Sequence, residues 1–191
     1  MMEFLINIDQ SLFLFLNGLH ATWLDPIMWW LSDKLIWIPL YIFILFLIIR
    51  KYQWKSVGIL LSVAILIAAS DQVSVFIKYG IERFRPTHNE GIKDSIHTLN
   101  EYFGGSYGFV SSHAANSFAL AAFTSFFLAP YYKNYRWIAF VWAALVSYSR
   151  IYLGVHYPGD ILGGAILGIL LSFIVYKLYR LFSNACPNNY C

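Results

Sequence analysis

Long apolar runs separated by short polar islands dominate this sequence. A helix that crosses a bilayer core about 30 Å thick needs roughly 20 mostly apolar residues. Five runs meet or approach that length: 34–49, 56–77, 114–131, 137–153 and 161–181. Because a backbone inside a membrane must satisfy its own hydrogen bonds, these runs predict an all-helical polytopic membrane bundle with about five transmembrane helices.

The N-terminal apolar run differs from the other five. Polar side chains, including Asp9 and Asn17, interrupt residues 4–19. We therefore predict that residues 1–22 form an interfacial helix that lies on the membrane without spanning it. The chain has no repeat and no internal boundary, so we predict a single membrane domain over residues 1–191. Its one long polar stretch, 82–112, is predicted to be a loop between the second and third spans.

The composition supports a membrane protein and argues against a nucleic-acid-binding one. Hydrophobic residues make up 59% of the chain and charged residues only 12%, whereas soluble domains carry roughly 25% charged residues. The net charge of +3 is small and spread over span ends, so no nucleic acid is expected as a partner. Cys186 and Cys191 lie in the last six residues, and we expect no structural role for them.

The positive residues indicate an orientation. If the first span runs inward, seven stand in short loops and tails on the cytoplasmic side: Arg50, Lys51, Lys55, Lys133, Arg136, Lys177 and Arg180. Six stand on the other side, together with every acidic residue except Asp71. The cytoplasmic group has no acidic neighbours and lies close to span ends, where the positive-inside rule is strongest. We therefore predict a bacterial-type inner membrane protein with residues 82–112 in the periplasm.

Three polar islands must face the same side of a five-span protein. They are the end of the second span (78–86), the start of the third (111–117) and the turn between the fourth and fifth (149–160). They bring together the cations Lys78, Arg85 and Arg150, which repel one another unless an anion lies between them. A phosphate suits this role, because at 4 Å and an effective dielectric near 20 each contact contributes about 4 kcal/mol before desolvation. No metal is expected, since the islands offer no plausible ligand set.

The remaining polar residues of the islands are suited to the roles of nucleophile, orienting carboxylate, proton donor and phosphate ligand. Asp160 follows His156 by four residues and can accept one imidazole N–H, which makes the other ring nitrogen a better nucleophile. His113 opens the third span and can protonate a leaving oxygen. Ser111 and Ser112 precede it, where hydroxyls and free backbone N–H groups can hold phosphate oxygens.

Written as spacings, the islands are K-x6-R-P, S-x-H and S-R-x5-H-x3-D. This pattern resembles the three-part signature of the type 2 phosphatidic acid phosphatase superfamily, which includes the vanadium haloperoxidases. The resemblance extends over residues 70–165. The usual second motif of that superfamily is P-S-G-H, whereas this chain has Val110-Ser111-Ser112-His113. The departure affects the expected loop geometry around Ser112, where the superfamily has glycine.

The resemblance implies a metal-independent phosphatase or diphosphatase that works through a phosphohistidine intermediate, without a cofactor. It implies that His156 attacks phosphorus, Asp160 orients it and His113 protonates the leaving group. Four residues would hold the phosphoryl oxygens: Lys78, Arg85, Ser111 and Arg150. Bacterial membrane members dephosphorylate lipids such as undecaprenyl diphosphate, phosphatidylglycerophosphate and lipid A. A phosphorylated lipid is therefore the expected partner, and no obligatory protein partner is evident.

Other readings of the sequence stay open. A lipid phosphotransferase of the same architecture, or a non-enzymatic phospholipid-binding or transport protein, would keep the cationic cluster, whereas a haloperoxidase is disfavoured because those enzymes are soluble. Asp71 is either a functional proton or ion group or, as we favour, a partner that locks a helix pair. Arg83 is interpreted as a salt-bridge partner in the loop, and His88 and His97 as parts of a solvated loop. Substrate specificity is expected in residues 87–108 and in an intramembrane groove.

Overall fold

The computed structural model describes residues 2–185, and within them seven α-helices form the fold. The helices are α1 (Met2–Asn17), α2 (Asp25–Ser32), α3 (Ile38–Tyr52), α4 (Ser56–Ile81), α5 (Ser112–Leu128), α6 (Tyr135–Tyr152) and α7 (Pro158–Ala185). Short 3₁₀ turns occupy Leu35–Trp37, Gln53–Lys55, Pro86–His88 and Lys93–Ser95.

The prediction of an all-helical protein is confirmed. Over residues 2–185 there is no β-strand, only an isolated antiparallel bridge between Phe84 and Tyr107. The five predicted runs coincide with α3 to α7, with ends displaced by a few residues. Among the described residues, two stretches are long and apolar enough to cross a membrane: Leu35–Ile81, which contains α3 and α4, and Pro158–Ser183. Their mean hydropathies are 2.0 and 2.1. Cys186 and Cys191 lie outside the described residues.

The ends of three helices follow local sequence signals and bring the polar islands to one end of the bundle. α4 ends where Glu82 adopts a left-handed conformation (φ 54°) and its N–H bonds to the Lys78 carbonyl oxygen. α5 begins after Ser111, whose hydroxyl accepts from the Ala114 N–H and caps the helix. α7 begins at Pro158, a residue favoured in a first turn because its missing N–H is not needed there.

Helix α5 lies at the centre of the bundle and packs against α4, α6 and α7. Small side chains make these approaches close: Ala114, Ala115, Ala119 and Ala121 are essentially buried. A Cβ at Gly164 of α7 would lie 2.5 Å from the Ser111 carbonyl oxygen, so only glycine allows this contact. The close packing sets the start of α7 beside the start of α5, and the Ser111 N–H donates to the Asp160 carbonyl oxygen at 3.0 Å.

The outer faces of α3, α4 and α7 are covered by exposed apolar side chains. Examples are Phe43, Phe46, Leu61, Ile65, Phe76, Leu162 and Leu170. A soluble protein does not expose so much continuous apolar surface, whereas a bilayer covers it without cost. The exposed faces therefore agree with helices that contact lipid.

Helix α1 is anchored against the end of the bundle that carries the polar islands. Phe13 is fully buried and packs on Ile151 and Tyr157. The Asn17 amide donates to the carbonyl oxygens of Ile151 at 3.1 Å and Tyr152 at 2.9 Å. These contacts hold α1 against the α6–α7 turn.

Part of the polar loop departs from the solvated character that we expected. His97 bonds through Nε2 to the Asp25 carboxylate at 2.9 Å and stacks on His20, with ring centroids 4.0 Å apart. Tyr152 donates to the same carboxylate at 2.5 Å. The expectation was wrong for His97 because its partners come from α2 and α6, which are distant in sequence. Hydrogen bonding from Tyr152, followed by His97, lowers the pKa of Asp25 below its usual value.

Candidate active site

A cavity of about 860 Å³ opens between α3, α4, α5 and α6. All three polar islands contribute to its wall. Six of the predicted site residues line it: Lys78, Arg85, Ser112, His113, Arg150 and His156. The structure therefore brings the islands together. These side chains come from the ends of α4 and α6, the start of α5, the loop after α4 and the turn between α6 and α7.

The hydrogen bonds of His156 define which ring nitrogen is free to react. Arg85 Nη1 lies 3.0 Å from His156 Nε2. A guanidinium group only donates, so Nε2 must be the unprotonated nitrogen. The proton then sits on Nδ1, which faces Asp160 Oδ2 at 3.3 Å. This tautomer directs the Nε2 lone pair towards the cationic end of the cavity.

His156 is held neutral by its surroundings. Its side chain is almost completely buried, and burial lowers its pKa well below the usual value near 6.5. The positive charges of Arg85, Arg150 and Lys78 lower the pKa further, while a hydrogen bond with the Gly108 backbone opposes them. A neutral imidazole with one unprotonated nitrogen has the protonation state that a nucleophile requires.

Asp160, in the first turn of α7, is fixed by two groups besides His156. Its side chain is fully buried. The Tyr157 N–H donates to Oδ2 at 3.0 Å, and Arg83 Nη1 donates to Oδ1 at 2.9 Å. Gly108 leaves room for the carboxylate, because a Cβ there would lie 2.8 Å from Oδ2.

Arg83 extends this arrangement to α1. Its Nη2 donates to Asp9 Oδ2 at 2.6 Å, and Asp9 Oδ1 accepts from the Gly159 N–H at 2.7 Å. The guanidinium carbon lies 4.2 Å from the centre of the Tyr157 ring. The sequence identified Arg83 as a salt-bridge partner but missed that one of its partners is Asp160. A carboxylate at position 9, within an otherwise apolar run, was the available signal.

Arg150 is buried at the cavity wall and held from two sides. Nη1 donates to the Ser32 hydroxyl, and Nη2 donates to the Tyr102 hydroxyl at 2.9 Å. Burial raises the pKa of Tyr102, but the charge and hydrogen bond of Arg150, together with the charges of Arg85 and Lys34, outweigh it and leave that pKa below its usual value. Arg150 Nε is buried and has no hydrogen-bond partner within residues 2–185. A buried guanidinium group with an unused donor is suited to an anion in the cavity.

The two serines of the second island have different environments. Ser112 accepts a hydrogen bond from Lys78 Nζ and lies 2.6 Å from the Ser74 hydroxyl, so it belongs to the cavity wall. Ser111 is fully buried, does not line the cavity and serves as the cap of α5. The structure thus brings Ser112, and not Ser111, to the cationic cluster. The sequence could not separate them because both precede His113 at the start of the helix.

Away from the cationic end the cavity is mainly apolar. Its wall there includes Ile44, Leu60, Val63, Ile67, Leu120 and Trp142. Asp71 also lines it, and no hydrogen bond or ion pair joins its carboxylate to another side chain in the described part of the chain. Our interpretation of Asp71 as a partner that locks a helix pair is therefore wrong, because the side chain is turned to the cavity. Residues 2–185 contain no group of three metal-ligating side chains.

Comparison with known proteins places this geometry among lipid phosphatases. The profile of the PAP2 superfamily matches residues 57–183. The lipid A 4'-phosphatases of Bacteroides thetaiotaomicron and Porphyromonas gingivalis are 39% and 37% identical over 98% and 97% of this chain. The matches cover 85% and 81% of those two proteins.

Solved structures share the fold. The transmembrane PAP2-type phosphatidylglycerolphosphate phosphatase from Bacillus subtilis superimposes with a TM-score of 0.72 and 26% identity, covering 93% of this chain and 87% of that one. Aquifex aeolicus LpxE superimposes with a TM-score of 0.62 and 23% identity, over 88% and 94% of the two chains. The prediction from the three motif spacings is thereby confirmed, and the chain belongs to the PAP2 superfamily.

Proposed function

We propose that this protein is an integral membrane lipid phosphatase that hydrolyses a phosphomonoester of a lipid A-type substrate without a metal ion. The observation that carries the proposal is the shape and lining of the cavity. Three cations and two histidines stand at one end, and an apolar channel continues from them between the helices. A phosphate group fits the first part and an acyl chain fits the second.

The contacts of His156 support it as the nucleophile. Its Nε2 attacks phosphorus, the bond to the lipid oxygen breaks, and His113 gives that oxygen a proton. Asp160 stabilises the positive imidazole while the phosphohistidine exists. A water molecule then attacks phosphorus with His113 as base, which releases inorganic phosphate and restores His156.

The cationic residues bind and stabilise the phosphoryl group. Lys78, Arg85 and Arg150 face the oxygens, on which negative charge accumulates in the transition state. Arg85 donates to His156 Nε2 in this structure. When the phosphate enters, the Arg85 N–H donates to a phosphoryl oxygen instead of to His156 Nε2. The lone pair of Nε2 is then available for attack. Ser112, with its hydroxyl on the cavity wall, takes the phosphate-binding role that the sequence also gave to Ser111.

The choice of lipid rests on the relatives. Two that match nearly the whole chain are lipid A 4'-phosphatases. An undecaprenyl-diphosphatase from Sulfolobus acidocaldarius is also 30% identical over 91% of the chain, so a polyprenyl diphosphate is the second candidate substrate. Both lipids place a phosphate at the membrane surface and chains in the bilayer.

The membrane arrangement is part of the proposal. Helices α3 to α7 are the five spans, α1 and α2 lie at the interface, and the active site faces the periplasm. The supporting observations are the exposed apolar faces and the cationic residues without acidic neighbours at the opposite end of the bundle.

Replacing the nucleophile tests the proposal. Purified His156→Ala protein in detergent with a metal chelator should release no phosphate from a lipid A-type phosphomonoester, whereas wild-type protein should remain active. His88→Ala is the matched control, because His88 lies outside the cavity and contacts its neighbour Thr87. Undiminished turnover by His156→Ala would falsify the mechanism. Transfer of the phosphoryl group to an added lipid alcohol instead of water would identify a phosphotransferase.

A further inference from the structure

Two polar side chains lie deeper in the cavity than the cationic cluster. Asp71 precedes Lys78 by seven residues on α4, which runs towards the active site. Asn116 follows Ser112 by four residues on α5, which runs away from it. With a rise of 1.5 Å per residue, Asp71 and Asn116 lie about 10 Å and about 6 Å further along their helices. Both line the cavity, among apolar neighbours.

Neither side chain is satisfied by the protein. Ser74 donates to the backbone carbonyl oxygen of Asp71, but no described group bonds its carboxylate. Asn116 Oδ1 is buried and has no partner in residues 2–185. Buried polar groups are almost always hydrogen-bonded, because leaving one unpaired is costly, and this applies directly to Asn116 Oδ1. The half-buried Asp71 carboxylate opens onto the same cavity. The missing partner is therefore expected to come from whatever fills the cavity.

We propose that Asp71 and Asn116 form a second polar subsite that binds a hydrogen-bond donor, an amide N–H or a hydroxyl, near the first carbons of the substrate's acyl chain. This inference rests on the proposed function and narrows its substrate class. The phosphate site contacts only the group that is removed, whereas this subsite contacts the part of the lipid that remains.

The chemistry of the two residues selects between lipids. The carboxylate oxygens of Asp71 accept hydrogen bonds, so they favour a lipid that carries a donor. The Asn116 amide can offer either its oxygen or its nitrogen, because the last torsion of the side chain is broad and roughly two-fold. Acyl chains joined by an amide, or carrying a hydroxyl, supply a donor at this depth. Ester-linked chains supply only acceptors, and a polyprenyl chain supplies neither.

Four lipids of equal chain length distinguish the sources of the donor. The first is a phosphorylated glucosamine with an amide-linked 3-hydroxyacyl chain, the second is the same compound without the hydroxyl, and the third is an ester-linked phosphatidic acid. Comparing the first two measures the contribution of the hydroxyl. Comparing the second with an otherwise identical N-methylated amide measures the contribution of the N–H.

The variants Asp71→Leu and Asn116→Leu test the subsite. We expect Asp71→Leu to lower kcat/KM for the first lipid about tenfold, and to leave kcat/KM for phosphatidic acid unchanged or raised, since a hydrogen bond to a charged group is the interaction removed. Asn116→Leu should lower kcat/KM for the first lipid several-fold. Gln72→Leu is the matched control, because Gln72 is the exposed neighbour on the same helix and does not line the cavity.

Two outcomes overturn the inference. One is an equal fall on all lipids in both leucine variants, which would mean that the residues only support the packing of the helices. The other is a wild-type protein that does not discriminate between the donor-bearing lipids and phosphatidic acid. The nearly isosteric Asp71→Asn keeps an acceptor and should retain part of the preference, which keeps the test valid if Asp71→Leu does not fold. Failure of wild-type protein to release phosphate from any lipid would instead reject the proposed function, and this inference with it.

Discussion

Arg83 provides the sharpest test of how the protein positions its nucleophile. It joins Asp9 of α1 to Asp160, the carboxylate behind His156. It does not line the cavity, so it is a positioning residue and not a contact to substrate. Replacing it with glutamine removes the charge and frees the Asp160 carboxylate to turn away from the imidazole.

The expected magnitude follows from burial. A hydrogen bond to a charged group contributes about 1.5–3 kcal/mol. Asp160 is fully buried, but the Arg83 side chain is 24% exposed, and solvent screening favours the lower end of that range. About 1.4 kcal/mol corresponds to a tenfold change in rate. We therefore expect Arg83→Gln to lower kcat about tenfold with little change in KM.

The assay is phosphate release as a function of lipid concentration, normalised to folded protein by size-exclusion recovery. Arg83→Lys keeps the charge but reaches only one of the two carboxylates, so it should recover part of kcat. Lys93→Gln is the matched control, because the Lys93–Glu90 pair in the same loop is exposed and contributes little. An unchanged kcat in Arg83→Gln, or a loss confined to KM or to the yield of folded protein, would refute the reasoning.

Two further predictions concern the same histidine and carboxylate. Burial lowers the pKa of His156 most, and the charge of Arg85 is the next largest cause, so Arg85→Gln should raise that pKa while burial still holds it below its usual value. The neutral imidazole is the reactive form, and the ratio of variant to wild-type kcat/KM should therefore fall as the pH is lowered; a ratio independent of pH contradicts the assignment. In Gly108→Ala, the new Cβ would lie 2.8 Å from Asp160 Oδ2, whereas ordinary contact begins at 3.4 Å, so the carboxylate must move by roughly half an ångström. Because a misplacement of 1 Å costs about 100-fold, we expect kcat to fall about tenfold. Gly105→Ala is the control, since a Cβ at Gly105 meets nothing within 4 Å, and equal activity of the two alanine variants would count against the proposed role of Asp160.

The membrane helices and the three polar islands could be predicted from the sequence for a simple reason. A transmembrane helix is specified by a local run of apolar residues, and α4 and α7 are recognisable without any knowledge of their neighbours. The spacing of Lys78 and Arg85, and that of His156 and Asp160, is equally local. Because successive spans cross the membrane in opposite directions, the order of the spans alone placed the three islands on one side.

Side-chain partners across the bundle were not accessible in this way. The pairing of Arg83 with Asp160 and Asp9 joins residues more than 70 positions apart, and no local pattern encodes it. The same holds for Ser32, which supports Arg150 from α2. His97 was wrongly assigned to solvent because its partner, Asp25, lies on another helix.

The sequence by itself determined an all-helical chain of the PAP2 superfamily and pointed to the two histidines, His113 and His156, that the structure brings to one cavity. Local hydrophobicity and motif spacing do not depend on how the helices pack, so they can be recognised from the sequence alone. Only the tertiary structure decided which serine reaches the cavity, which nitrogen of His156 is unprotonated, and that Asp71 faces the cavity. Those outcomes depend on the rotation of each helix about its axis, which is set by close packing such as that of Gly164 against α5 and is not recorded in any single segment.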